Sequence, residues 1–90
     1  MNGRIQVSRD ALARELGGEV LVLDLRTSLY FGMTGTAARI WQLVEAGATR
    51  ETIVETLAEE YGGDRDVIGA DVDGFLAELL ERGLLDRAGP

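Results

Sequence analysis

Ninety residues carrying 16 acidic and 9 basic side chains, a formal charge of −7, leave room for one small domain. The chain holds no cysteine and no histidine, which excludes a disulfide framework, a thiolate or histidine-activated nucleophile, and a Cys/His metal site. The acidic balance repels phosphate backbones and anionic membranes, and no apolar run approaches the roughly 18–20 residues that span a bilayer. Residues 1–10 also lack the apolar stretch of a signal peptide. These features predict a cytoplasmic, non-catalytic domain with no cofactor, no metal, no nucleic acid and no membrane as partner.

In chain order, Arg4-Ile5-Gln6-Val7 alternates apolar and polar residues and reads as a strand. Asp10 to Leu16 reads as a loop or a single helical turn, and Gly17-Gly18 as a turn. Glu19 to Leu25 is leucine- and valine-rich and too short for a helix, so it reads as a second strand. The polar Arg26-Thr27-Ser28 suits a hairpin connection to a third strand, Leu29-Tyr30-Phe31-Gly32-Met33. A loop of three residues puts Leu21, Leu23 and Leu25 on the face of Leu29, Phe31 and Met33, with Val20, Val22 and Tyr30 opposite. A loop of two exchanges the faces.

Three helices are expected next. The first begins near Thr34 to Thr36 and buries Ala37, Ile40, Trp41 and Val44, at i, i+3, i+4 and i+7, before Gly47 ends it. Thr49 caps the second, whose inner face is Ile53, Leu57 and Tyr61, and Gly62-Gly63 breaks the chain again. Asp64 or Asp66 starts the third, with the stripe Ile68, Val72, Phe75, Leu76, Leu79 and Leu80, and Gly83-Leu84 fits a left-handed C-terminal cap. Gly69 and Gly74 inside this helix each cost about 1 kcal/mol relative to Ala. Either they are merely tolerated or something approaches the helix backbone there.

The run Val22-Leu23-Asp24-Leu25 through Tyr30-Phe31-Gly32-Met33-Thr34-Gly35-Thr36-Ala37-Ala38-Arg39-Ile40-Trp41 resembles the PqqD-like family, the leader-peptide recognition elements of ribosomally made, modified peptides. Ala46-Gly47-Ala48-Thr49, Ile53 to Tyr61, and Asp71-Val72 through Gly83-Leu84-Leu85 continue the likeness, which covers about residues 4 to 86. Met33-Thr34 stands where the family often has Leu-Asn; Met keeps the volume and Thr an N-cap. The resemblance implies an α+β fold, winged helix-turn-helix-like, with a three-stranded antiparallel sheet followed by three helices. It also implies binding of the leader region of a precursor peptide, added as a strand beside the third strand and above the third helix. The short stand-alone form is most similar to those of lasso-peptide pathways, where the precursor passes to a separate leader peptidase and a cyclase.

The residues suit that task. Leu29 to Met33 carries no charge and no Pro, so it lacks the usual devices that block a strand edge. An extended peptide can complete its hydrogen bonds, and a second copy of the chain could use the same edge. Leu29, Tyr30, Phe31, Gly32 and Met33 are the candidates on the strand, and Asp71, Val72, Phe75, Leu76 and Leu79 on the third helix. Core packing accounts equally well for Phe31 and for much of the helical stripe, and Tyr30 and Phe31 must face opposite ways. Trp41 is read as core.

Two rival functions are weaker. A winged-helix DNA-binding regulator needs cationic donors on its recognition helix; here Asp66, Asp71, Asp73, Glu78 and Glu81 lie between Arg65 and Arg82. A paired-carboxylate enzyme built on Asp71 and Asp73 fails because residues two apart on a helix do not face each other.

Overall fold

The computed structural model describes residues 4–88. Its elements are β1 (Arg4–Val7), β2 (Ala11–Leu16), β3 (Glu19–Asp24), β4 (Leu29–Met33), α1 (Gly35–Glu45), α2 (Arg50–Tyr61), α3 (Arg65–Glu81) and β5 (Leu85–Ala88). The α+β class holds, with three antiparallel strands in the order β2-β3-β4 ahead of three helices.

The composition of the sheet differs from the expectation. Ala11–Leu16 is not a loop or helical turn but the strand β2, joined to β3 by Gly17 and Gly18, both at positive φ (57° and 84°). Two successive positive φ values define the tight turn whose twist matches a β-hairpin, and glycine adopts them without strain. β1 stands outside this sheet and pairs with β5, a strand hidden in the last residues after α3. The Ser8 N–H donates to the Leu84 carbonyl at 3.0 Å and continues this tie between the two ends of the chain.

The β3–β4 connection holds four residues, Leu25 to Ser28, and is closed by the Ser28 N–H donating to the Asp24 carbonyl at 2.7 Å. An even count puts Val20 opposite Met33, Val22 opposite Phe31 and Asp24 opposite Leu29. The three-residue arrangement is therefore overturned: Val20 and Val22 are fully buried, while Leu25 is 48% exposed. Leu21 and Leu23 share the outer face with Gly32 and Tyr30.

Val20, Val22 and Met33 meet Ile40, Trp41 and Val44 of α1, Ile53 and Leu57 of α2, Val72, Leu76 and Leu79 of α3, and Leu84 and Leu85 in one core. Trp41 is fully buried; its indole N–H finds no acceptor among the described residues, so packing alone holds the ring. Tyr61, expected on the inner face of α2, is exposed because the helix ends there at Gly62, and Val54 takes the buried place beside Ile53 and Leu57.

Helix ends follow the local chemistry. Thr49 accepts from the Thr52 N–H at 3.1 Å and Asp64 from the Asp66 N–H at 2.7 Å, whereas Thr34 occupies the N-cap of α1 without a side-chain bond. At the end of α3 the Gly83 N–H donates to the Leu80 carbonyl and the Leu84 N–H to the Leu79 carbonyl, with Gly83 at φ 78°. That paired bonding satisfies carbonyls otherwise left open, and the apolar residue after the glycine folds back inside. Leu84 is fully buried.

Candidate functional site

Among the described residues β4 hydrogen-bonds only β3, so its other edge is unpaired. Alternation along β4 sorts its side chains: Phe31, half-buried, and Met33, buried, point to the helices; Tyr30, 66% exposed, lies on the outer face beside Leu23. Leu29 is also open to solvent, and Gly32 leaves the backbone uncovered.

On α3 the five candidates separate into two depths. Val72, Leu76 and Leu79 are buried in the core, Phe75 is half-buried, and Asp71 is exposed. Asp71 and Phe75 continue at i+7 and i+11 from Asp71 as Glu78 and Arg82, so these four share one stripe of the helix. The far end of that stripe touches β4, where the Arg82 guanidinium sits 5.3 Å from the centre of the Phe31 ring. At that distance a cation is attracted by the face of the ring. Arg82 is steadied by Glu78, at 3.1 Å.

The β3–β4 loop is fastened to the same place. Arg26 donates from its guanidinium to the Arg82 carbonyl at 3.0 Å, while the Asp24 carboxylate accepts from the Arg26 N–H at 2.9 Å and from its Nε at 3.4 Å. The backbone N–H of Arg26 is the main cause that holds the Asp24 carboxyl below its ordinary pKa; partial loss of water works against it, and the Arg26 side chain adds to the lowering. Asp24 is thus a buried carboxylate with a structural task. Together these contacts close the space between β4 and α3 at the C-terminal end of the helix. Phe75 and Asp71 stand further along, toward its start.

Arg82, Glu78 and Arg26 were absent from the sequence-based candidates. The first two were legible in the spacing from Asp71 and Phe75; Arg26 was not, since its reach to the Arg82 carbonyl spans 56 positions. No helix among the described residues is long and apolar enough to cross a membrane, and no acidic cluster among them could hold a metal ion.

Residues 19–85 match the family described as Coenzyme PQQ synthesis protein D (PqqD). The chain belongs to the PqqD family. It is similar to a PqqA binding protein of Rhodopseudomonas palustris (strain HaA2), 40% identical over 52 residues that make up 58% of this chain and 51% of that relative. The chain therefore spans about half the length of that curated relative. Among solved structures it is similar to TbiB1 in complex with the TbiA(beta) leader peptide, at 33% identity and TM-score 0.88 over 94% of this chain and 99% of that one. A lasso peptide synthetase B1 complexed with the leader peptide shares the fold, with TM-score 0.85, 22% identity, and coverage of 92% and 98%. In this PqqD-family domain β4, unpaired on one edge among the described residues, meets the α3 stripe where Arg82 covers Phe31.

Proposed function

We propose that this domain binds the leader region of a ribosomally made precursor peptide as an added strand along β4, and presents it to a maturation enzyme. The enzyme in this reading is a separate leader peptidase of a lasso-peptide pathway. The observation that carries the proposal is the uncharged β4 edge, unpaired among the described residues, whose half-buried Phe31 lies under Arg82 of the α3 stripe that also holds Phe75. The 33%-identical TbiB1, which shares the fold over nearly its whole length, was solved with a leader peptide.

The chemistry divides into two parts. Main-chain groups of β4 supply hydrogen bonds that any extended segment can satisfy, each worth about 0.5–1.5 kcal/mol net. Selectivity comes from alternate side chains of the guest. Those turned toward α3 meet Phe31 and Phe75, with Asp71 beside them for a basic residue; those turned outward meet Tyr30. Leu29 and Gly32 frame the approach. Met33, Val72, Leu76 and Leu79 act from beneath, as the packed floor that fixes the distance between strand and helix.

The test is titration of fluorescent leader peptides encoded beside this gene, followed by a scan of N-methylated versions. Strand addition predicts that N-methylation weakens binding at every second position, by about three- to tenfold, as each lost bond removes on the order of 1 kcal/mol. Uniform losses, or none, would remove strand pairing from the mechanism. Salt-sensitive binding to duplex DNA without leader binding would return the domain to the regulators.

A further inference from the structure

The β2-β3-β4 sheet has a second face, turned away from the helices, and it is apolar where an antiparallel sheet is ordinarily polar. Leu12, Leu23 and Tyr30 stand in one row across the three strands, and Leu21 follows in the next row between Arg14 and Gly32. Leu12 and Leu16 are each 59% exposed and Tyr30 66%, whereas Val20 and Val22 on the opposite face are fully buried. A contiguous exposed apolar patch of this kind marks an interaction surface on a small domain.

The charged residues at its paired positions are Arg14 and Glu19, one of each sign, so the face is neutral in a chain of net charge −7. It suits an uncharged apolar surface and not an ionic one. Size argues against a second copy of the chain. The outward positions of three short strands fall well short of the roughly 20–30 residues a side in a stable interface, and a symmetric pair is confined to that same patch on both copies. A guest strand beside β4 enlarges the face, because every second guest side chain points outward and continues the row that ends at Tyr30. A larger partner can bridge from the sheet onto those side chains.

We infer that the maturation enzyme seats an uncharged apolar surface on this outward face, and binds the domain more tightly when the leader is in place. The inference rests on the reading above, in which the guest is a strand beside β4 and the enzyme must reach it. Leu12, Leu16, Leu21 and Leu23 supply the fixed part of the contact, and Tyr30 lies where that part meets the guest. The coupling is reciprocal, so the enzyme tightens leader binding by the same factor. A second copy on this face would instead cover the guest's outward side chains and keep the enzyme away.

Three single variants of the full chain test this. Leu12→Glu and Leu16→Glu lie on β2, with β3 and β4 between them and the guest; Val67→Glu, at an equally exposed apolar position on α3, is the control. Each is titrated with the labelled leader, and with the purified leader peptidase encoded beside this gene, in the absence and presence of saturating leader. Circular dichroism checks the fold. In the parent, leader should tighten peptidase binding by about fivefold or more. Leu12→Glu and Leu16→Glu should weaken peptidase binding by about tenfold or more and keep leader affinity within about twofold of the parent, and Val67→Glu should change neither. Peptidase affinity unchanged by both β2 variants, or weakened equally by Val67→Glu, overturns the docking face. So does a parent dimer in light scattering that Leu12→Glu dissolves, which would give the face to a second copy. Peptidase affinity indifferent to bound leader overturns the shared contact. A parent chain that binds the peptidase through Leu12 and Leu16 but binds no leader overturns the peptide reading instead, and leaves the face standing.

Discussion

Two adjacent residues of α3 separate the proposed peptide furrow from the core. Leu76 is 4% exposed and packs among Val72, Leu79 and the sheet, whereas Phe75 is half-buried on the stripe that leads to Arg82. Leu76→Ala opens a void in a closed core and should cost about 2–5 kcal/mol of stability. A fully buried Phe contributes about 1.5–3 kcal/mol, so a half-buried one commits roughly 1 kcal/mol to folding. A similar amount of apolar surface is left to be covered by a guest. Phe75→Ala should therefore lower stability by only about 1 kcal/mol, and weaken leader binding by roughly five- to tenfold at 1.4 kcal/mol per decade. Urea unfolding followed by the single, fully buried Trp41 gives the first quantity, and anisotropy of a labelled leader gives the second. If Phe75→Ala destabilises as much as Leu76→Ala and binds the leader as well as the parent, Phe75 belongs to the core and the furrow has been placed wrongly.

Gly83 and Gly74 should respond in opposite directions to alanine. Gly83→Ala forces a side chain into a left-handed cap position pressed by the Arg26 guanidinium, and should cost about 1–2 kcal/mol or more in urea unfolding; Gly74→Ala meets nothing within 4 Å and should gain up to about 1 kcal/mol. Asp24 has a folded pKa below its ordinary 3.8, so its stabilisation is complete above that value and is lost as pH falls through the lower folded one. Urea midpoints measured from pH 6 down to 2 should fall less steeply below pH 4 in Asp24→Asn; an unchanged acid limb would refute the assignment. Asp71→Asn should slow association of a basic leader by about two- to threefold in dilute buffer and leave it unchanged in 1 M salt, as stopped-flow fluorescence would reveal.

Much of this was legible in the residues, and the failures have physical causes. The helices were readable because 3.6-residue periodicity and caps agree: Thr49, Asp64, Gly47 and Gly83 all sit where the chain starts or stops a helix. β2 was missed because Ala11 to Leu16 gains its strand state from pairing with Ala13 opposite Val22 and Glu15 opposite Val20, not from β-branched residues of its own. β5 was missed for a similar reason, since its partner lies at the other end of the chain. The hairpin register turned on one residue of loop length, which is fixed by the Asp24 carboxylate and carbonyl gathering Arg26 and Ser28. At Gly69 a side chain would meet the movable end of Arg50 and displace the guanidinium from its exposed pair with Asp73 at 2.9 Å.

The register also decides what the free edge can do. With four loop residues, Val20 and Val22 fill the core, and Phe31 is the β4 side chain left half-open toward α3 under Arg82. With an odd loop, Leu21 and Leu23 would turn inward with Phe31, and the valines would lie outside. The same backbone edge would survive, but the sheet would pack on the helices through larger side chains and at a different height. A loop insertion between Thr27 and Ser28 therefore sets two demands against each other, since the core favours Val20 and Val22 while the new count favours the leucines. Both β3 valines are fully buried in the core, so the expected outcome is a bulge confined to the loop, a loss of stability from the broken Asp24–Ser28 closure, and leader binding that survives in proportion to the folded fraction. Leader binding abolished in a fully folded insertion variant would mean that the loop itself, and not the β4 edge, holds the peptide.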